Sequence, residues 1–234
     1  MRKPLTVAAV QPACTALDLT ANAESHAQAI RSARARVVVF PELSLTGYEL
    51  GARAVRADDD VLAPIIAACA ETGSVALVGA PVADAAGREF ISMVCVDVGG
   101  ARPAYRKSWL GGTEAERFTA GDGPTVLEID GWRLGLGICK DTGAAQHTVG
   151  TAALGIDAYL AGLVHQPHEL AEQEARAVVV ARTCRAYVVF ASFAGPTGDV
   201  FDRTAGCSAI WSPDGVAIAR AGPDVGDLAR SVLA

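Results

Sequence analysis

Val-Val-Val-Phe-Pro-Glu, residues 37–42, is the stretch on which the fold turns. A continuous apolar run with three β-branched residues reads as a strand covered on both faces. Pro41 favours extended backbone at the exit, so the chain leaves a buried strand and at once presents the Glu42 carboxylate at the rim of a core. Upstream, a polar-apolar pattern from about Asn22 to Ala35 reads as a helix, and Leu5 to Val10 as a short strand. The order is strand, helix, strand, with the helix as the crossover that neighbouring parallel strands require.

Working outward, a helix is expected over Val61 to Thr72, and strands over Val75 to Gly79 and Phe90 to Val96. Gly99-Gly100 turns the chain into a segment ending at Tyr105, and a long polar loop follows from Lys107 to Pro124. Residues 132–139, WRLGLGIC, form a glycine-interrupted strand ending in a cysteine, with a helix over Thr142 to Leu154 and a strand over Ile156 to Leu160. Glu169 to Arg185 is the clearest helix, Tyr187 to Phe193 a strand, and Cys207 to Trp211 with Val216 to Ala219 a closing hairpin. Strand-helix-strand thus occurs twice, around 5–40 and 134–160, a weak pseudo-repeat with negligible residue identity. This alternation argues for an α/β layered fold, in which sites gather at the carboxyl ends of strands. Glu42 and Cys139 both occupy such ends.

The chain has 234 residues, 51% hydrophobic and 20% charged, which suits one domain spanning 1–234. A net charge of -6 without a Lys/Arg cluster offers no footprint for nucleic acid and no cationic face for a membrane, so a small-molecule partner is expected. No apolar segment approaches the roughly 20 residues needed to cross a bilayer. The opening MRKPLTVAAVQPAC imitates an export signal, but Gln11 and Pro12 interrupt its apolar stretch. Six cysteines, at 14, 69, 95, 139, 184 and 207, lie far apart without metal-ligand spacing. Free thiols, a cytoplasmic location and no structural zinc are expected. The four histidines, His26, His147, His165 and His168, match no metal motif and read as surface or packing residues, with His165 and His168 the candidates for a place beside a pocket.

Three residues suggest chemistry, and each has a plainer reading. Burial would raise Glu42 toward neutrality, as a general base needs; the alternative is a solvated loop acid. Cys139 lies between a strand and a helix, where backbone N–H groups can stabilise a thiolate; the alternative is a core cysteine. Lys107, in Tyr105-Arg106-Lys107, would by default be a surface cation.

Their combination decides. PELSLTGYE (41–49), YRKSWL (105–110), ERFTAGD (116–122) and LGICKD (136–141) stand in the order and approximate spacing of the carbon-nitrogen hydrolase, or nitrilase-like, superfamily, which this chain resembles. AAVQPA (8–13), VGAPV (78–82) and GCSAIWSPDG (206–215) extend the resemblance over almost the whole chain. It implies a four-layer α-β-β-α sandwich, assembled as a homodimer or larger homo-oligomer. It also implies a catalytic set of Glu42, Lys107 and Cys139, with an accessory acid that matches Glu114 better than Glu116. Tyr48, within the first motif, and Lys140 are the expected substrate-binding residues.

The implied reaction cleaves the C–N bond of a small amide or N-carbamoyl compound through a cysteine thioester, releasing ammonia and using no metal or organic cofactor. Cys139 is followed by KDTGAAQH, which lacks the aromatic-Pro-Glu segment of many members, and Ser192 stands where Asn is common. True nitrilases usually carry Cys-Trp-Glu, so CKD points to the amidase and carbamoylase side. The alternatives are nitrile hydrolysis to the acid and a non-catalytic relative that binds a small amide. A thiol redox protein fits less well, since no resolving cysteine adjoins Cys139.

Overall fold

The computed structural model describes residues 2–198 and 200–234. In chain order its elements are β1 (Leu5–Val10), α1 (Leu19–Ala33), β2 (Val37–Val39), α2 (Ala63–Thr72), β3 (Val75–Ala83), β4 (Glu89–Asp97), β5 (Gly100–Arg106), β6 (Val126–Ile129), β7 (Trp132–Ile138), α3 (Ala145–Ala153), β8 (Ala158–Leu163), α4 (Leu170–Cys184), β9 (Tyr187–Ser192), β10 (Ala209–Trp211), β11 (Ala217–Arg220) and β12 (Leu228–Leu233). Among the described residues they form two six-stranded sheets, ordered β12-β1-β2-β3-β4-β5 and β11-β10-β9-β8-β7-β6. Each sheet has three parallel strands at its centre, β1-β2-β3 in one and β7-β8-β9 in the other, flanked by antiparallel neighbours.

The period-2 alternation of strand side chains sorts residues between layers. Val7 and Ala9 of β1, Val37 and Val39 of β2, and Leu134, Leu136 and Ile138 of β7 meet in one core between the two sheets. Their alternates Ala8, Val10 and Val38 face the opposite way and pack with Ala23, Ala27 and Ile30 of α1 and Ile65 of α2. A third core joins Tyr159 and Ala161 of β8 to Ala177, Val180 and Ala181 of α4. Three apolar interfaces separate four layers, α-β-β-α, as the resemblance implied.

The ends of the helices follow local chemistry. Asp18 caps α1 by accepting from the Ala21 N–H, and α2 begins with a proline and ends at Gly73 in the left-handed region, where glycine carries no steric penalty. Two strands escaped the sequence reading. β6 pairs with β7 through a turn at Asp130-Gly131, both residues at positive φ, which is the two-residue hairpin signal that Asp-Gly provides. β12 pairs antiparallel along the whole of β1, from Leu5 opposite Leu233 to Val10 opposite Leu228. Elsewhere element ends shift by a few residues, as where Thr142 and Gly143 belong to a 3₁₀ turn ahead of α3.

Candidate active site

Glu42 follows β2 and is buried. Its backbone passes through a narrow gap between the sheets: a Cβ at Gly79 of β3 would stand 2.2 Å from the Pro41 carbonyl oxygen, and one at Gly162 of β8 would stand 2.8 Å from the Glu42 nitrogen. Both positions need glycine for this close approach. Beyond the gap, Leu43 turns at positive φ into a short 3₁₀ turn, Ser44–Thr46, and the whole segment 41–48 is buried. A carboxylate sunk this deep costs free energy unless it is partnered.

The partner is Lys107, which leaves the end of β5 and is itself buried. Its Nζ donates to Glu42 Oε1 at 2.6 Å and to Glu114 Oε1 at 2.7 Å. Glu114 sits in a 3₁₀ turn, Thr113–Glu116, and its second oxygen accepts from the Gly111 N–H. That turn settles which acid meets the lysine: Glu114 points inward and is buried, whereas Glu116 is exposed. One ammonium therefore bridges two carboxylates, and Glu42 Oε2 remains a buried acceptor with no hydrogen-bond partner.

Cys139 follows β7 directly, at φ 41°, in the left-handed region that residues with a side chain seldom occupy, and opens the 3₁₀ turn Cys139–Gly143 that leads toward α3. The first N–H groups of such a turn lack acceptors within it. Its Sγ donates to the Val164 carbonyl at 3.5 Å, and its side chain packs against the apolar cores on both faces of its sheet.

The charges of these groups act on one another. Burial raises Glu42 to about 7, and the charges of Glu114 and Asp141 add to this while Lys107 opposes it. Burial also pushes the Cys139 thiol up to about 12; the charge of Glu42 reinforces that shift and the Lys107 ammonium counters it. Burial alone would depress Lys107, but the negative charges of Glu42, Cys139 and Glu114 hold it above its ordinary range, so it stays protonated. Carboxylate, ammonium and sulfur share one electrostatic environment. Glu42 and Lys107 both act on Cys139 through their charges, in opposite directions.

Tyr48 turns back toward this cluster at φ 62°, its ring tilted against Phe201 and edge-on to Phe193 at centroid distances of 5.7 and 6.5 Å. Burial and then the charges of Glu42 and Cys139 raise its hydroxyl well above its ordinary range. Lys140 differs: its side chain is exposed, and its Nζ donates to the Leu110 carbonyl at 2.7 Å, so only its backbone belongs to the turn that Cys139 opens. Ser192 ends β9 with its hydroxyl buried and unpartnered. Of the histidines, His26, His147 and His165 are buried and His168 is exposed. His165 holds Gln173 and Arg176 through its two ring nitrogens. Among the described residues no group of three or more His, Cys, Asp or Glu side chains is arranged to hold a metal ion.

The residue that sequence reasoning missed is Asp141. It is fully buried and binds backbone on both sides of the site, accepting from Trp109 N–H, Ser108 N–H and Ile138 N–H. The sequence offered a signal: an acid two residues after a strand-ending cysteine is placed to reach back to the N–H groups of that turn.

Known proteins share this fold. The family model of carbon-nitrogen hydrolases matches residues 6–229. A hydrolase from the pqqF 5′ region of Pseudomonas protegens is 32% identical, over 99% of this chain and 85% of that one. Among solved structures, Nit3 of Saccharomyces cerevisiae, from branch 10 of the nitrilase superfamily, superposes with a TM-score of 0.87 at 19% identity, over 99% of this chain and 90% of that one. An amidase from Nesterenkonia sp. AN1, seen with the acetamide moiety of fluoroacetamide added covalently at its active-site cysteine, does so with 0.82 at 22%, over 98% of this chain and 90% of that one. At such identities the two structures speak to the fold.

Proposed function

The chain belongs to the carbon-nitrogen hydrolase family, and from that premise we propose that it hydrolyses the C–N bond of a small amide or N-carbamoyl compound through a thioester on Cys139, releasing ammonia. The observation that carries this reading is the division of labour on Glu42. One of its oxygens is held by Lys107 and the other is a buried acceptor without a partner, on a carboxyl group poised near pH 7. Most buried side-chain oxygens have a hydrogen-bond partner.

In this reading Glu42 Oε2 takes the thiol proton as Cys139 Sγ attacks the substrate's carbonyl carbon. The transfer is coupled to the attack, because the thiol lies well above the carboxyl group in pKa. The oxyanion meets Lys107 Nζ and the backbone N–H of Lys140, donors worth about 3 to 4 kcal/mol each in such settings. Collapse breaks the C–N bond, ammonia leaves with the proton held by Glu42, and Glu42 then draws a proton from the water that cleaves the thioester. Glu114 gives Lys107 a second anchor besides Glu42. Tyr48, close enough for its hydroxyl to feel Glu42 and Cys139, lines the acyl side.

The same reading takes the protein to be a cytoplasmic homodimer or larger homo-oligomer. The unpaired state of all six cysteines supports the cellular part. Ammonia release from primary aliphatic amides, N-carbamoyl amino acids and nitriles, measured for wild type and Cys139→Ala, tests the reaction and its substrate class together. Release from amides or carbamoyl compounds by wild type only is expected. Hydrolysis retained in the alanine variant would overturn the assignment, and release from nitriles alone would move the chain to the nitrilase side.

A further inference from the structure

Behind the nucleophile's turn lies a buried polar network that the reaction above does not use. Asp141 accepts four hydrogen bonds. Its Oδ1 takes the N–H groups of Trp109 and Ser108 at 2.8 and 3.2 Å, and its Oδ2 takes the Ile138 N–H at 2.9 Å and the Tyr105 hydroxyl at 2.8 Å. These donors bracket the two reactive residues along the chain: 105, 108 and 109 surround Lys107, and 138 precedes Cys139. No Lys or Arg forms an ion pair with Asp141 among the described residues, so hydrogen bonds alone hold this buried carboxylate.

The network continues outward in a fixed direction. Tyr105 gives its only proton to Asp141, so the 2.9 Å contact between its oxygen and His147 Nε2 requires the ring nitrogen to carry the hydrogen. His147 Nδ1 is then an acceptor, and the Tyr159 hydroxyl donates to it at 3.1 Å. Burial lowers the pKa of His147, consistent with a neutral ring in a single tautomer. The strand is cut to fit: a Cβ at Gly137, two residues before the nucleophile, would stand 2.0 Å from the Tyr159 hydroxyl. The glycine pattern of residues 132–139 thereby admits the tyrosine that ends the relay.

We propose that Asp141 is a positioning residue, whose carboxylate ties the Lys107 segment and the Cys139 turn to one point, with Tyr105, His147 and Tyr159 aligned behind it to fix its orientation. The role rests on the reading of Lys107 and Cys139 given above. An amide cannot replace the carboxylate, because both oxygens accept from backbone N–H groups and an NH₂ in either orientation would face a donor. Asp141→Asn therefore releases the lysine segment from the nucleophile, and Tyr105→Phe, which deletes a single hydroxyl, does so in part while keeping the fold. Freed from the ammonium, the thiolate is harder to form.

The test is the rate of Cys139 alkylation by iodoacetamide against pH, followed by peptide mass spectrometry in the full chain and corrected for the folded fraction by thermal melts, together with ammonia release from butyramide and the other substrates above. Asp141→Asn should slow alkylation about tenfold at pH 7.5 and move its midpoint to higher pH; Tyr105→Phe should do the same by twofold to threefold. Where a substrate is cleaved, kcat should fall about a hundredfold in Asp141→Asn with KM within threefold. Folded Asp141→Asn that alkylates as wild type does, with the same pH midpoint, overturns the positioning role even if the enzyme cleaves amides. Slowed alkylation in a chain that cleaves no C–N bond at all leaves the positioning role standing and sinks the proposed function instead.

Discussion

β1 and β7 hold equivalent places in the two sheets, each the first of three parallel strands with an antiparallel neighbour on its outer side. They end in opposite ways. β1 runs into Gln11, whose side chain is buried and fully engaged: Nε2 donates to the Asp224 and Gly222 carbonyls at 2.7 and 3.1 Å, and Oε1 accepts from Ser208 N–H at 2.8 Å. β7 runs into Cys139, at positive φ, with a single long contact from its sulfur. The second parallel strands divide in the same manner but with the halves exchanged. β2 leads to Glu42 and its unpartnered oxygen, whereas β8 leads to Val164 and to His165, which is hydrogen-bonded on both ring nitrogens. A repeated scaffold thus offers four comparable strand ends: the proposed catalytic pair, Glu42 and Cys139, lies at two of them, and Gln11 and His165, whose polar side-chain atoms are satisfied, lie at the other two.

The comparison can be broken from the reactive side first. Glu42→Gln should lower kcat/KM by about a thousandfold, the scale of a lost general base. Wild-type kcat/KM should rise as pH climbs through about 7, where Glu42 ionises, and the variant should lose that limb. Stability should move the other way. A carboxyl group whose folded pKa is raised stabilises the fold when protonated, below about pH 4.5, and that contribution is gone above about 7. At pH 8 Glu42→Gln should therefore melt no lower than wild type. A variant that is both inactive and strongly destabilised would show Glu42 to be structural, like Gln11.

Smaller effects sharpen the division. Glu114→Gln should cost on the order of tenfold to a hundredfold in kcat by loosening Lys107, while the exposed Glu116→Gln should change it by less than about twofold. On the structural side, Gln11→Ala leaves the buried Ser208 N–H without its acceptor and takes one of two donors from the Gly222 and Asp224 carbonyls, which keep the Cys207 and Asp227 N–H groups. It should lower unfolding free energy by about 2 to 3 kcal/mol in chemical denaturation, with kcat of the folded enzyme within about threefold of wild type. A large kcat effect at Gln11 would mean that the two strand ends are not functionally distinct.

Much of this was legible in the chain. Long apolar runs such as 37–40 disclosed the buried strands, the strand-helix-strand order disclosed an α/β layered fold, and the family resemblance implied the paired sheets. The antiparallel strand over 228–233 was hidden because its partner, β1, lies more than 200 residues away and its own pattern alternates only weakly. At the site, Glu42, Lys107 and Cys139 stood in recognisable motifs, and the choice of Glu114 over Glu116 waited on the 3₁₀ turn that faces one inward and the other to solvent. Asp141, Tyr105 and His147 went unread as a group, since a hydrogen-bond network across three elements leaves no periodic trace in sequence. Lys140 shows the converse: its place beside the nucleophile suggested a substrate contact, yet its ammonium reaches out to the Leu110 carbonyl.

The claim on which all of this depends is that the Cys139 sulfur carries the acyl group between two half-reactions. Wild-type enzyme turning over an accepted amide should be quenched in acid, digested and weighed, with hydroxylamine added in a parallel reaction. The account predicts an acyl group on the Cys139 peptide that hydroxylamine removes as the hydroxamate. Steady turnover with Cys139 unmodified, or with the acyl group on another residue, would contradict it.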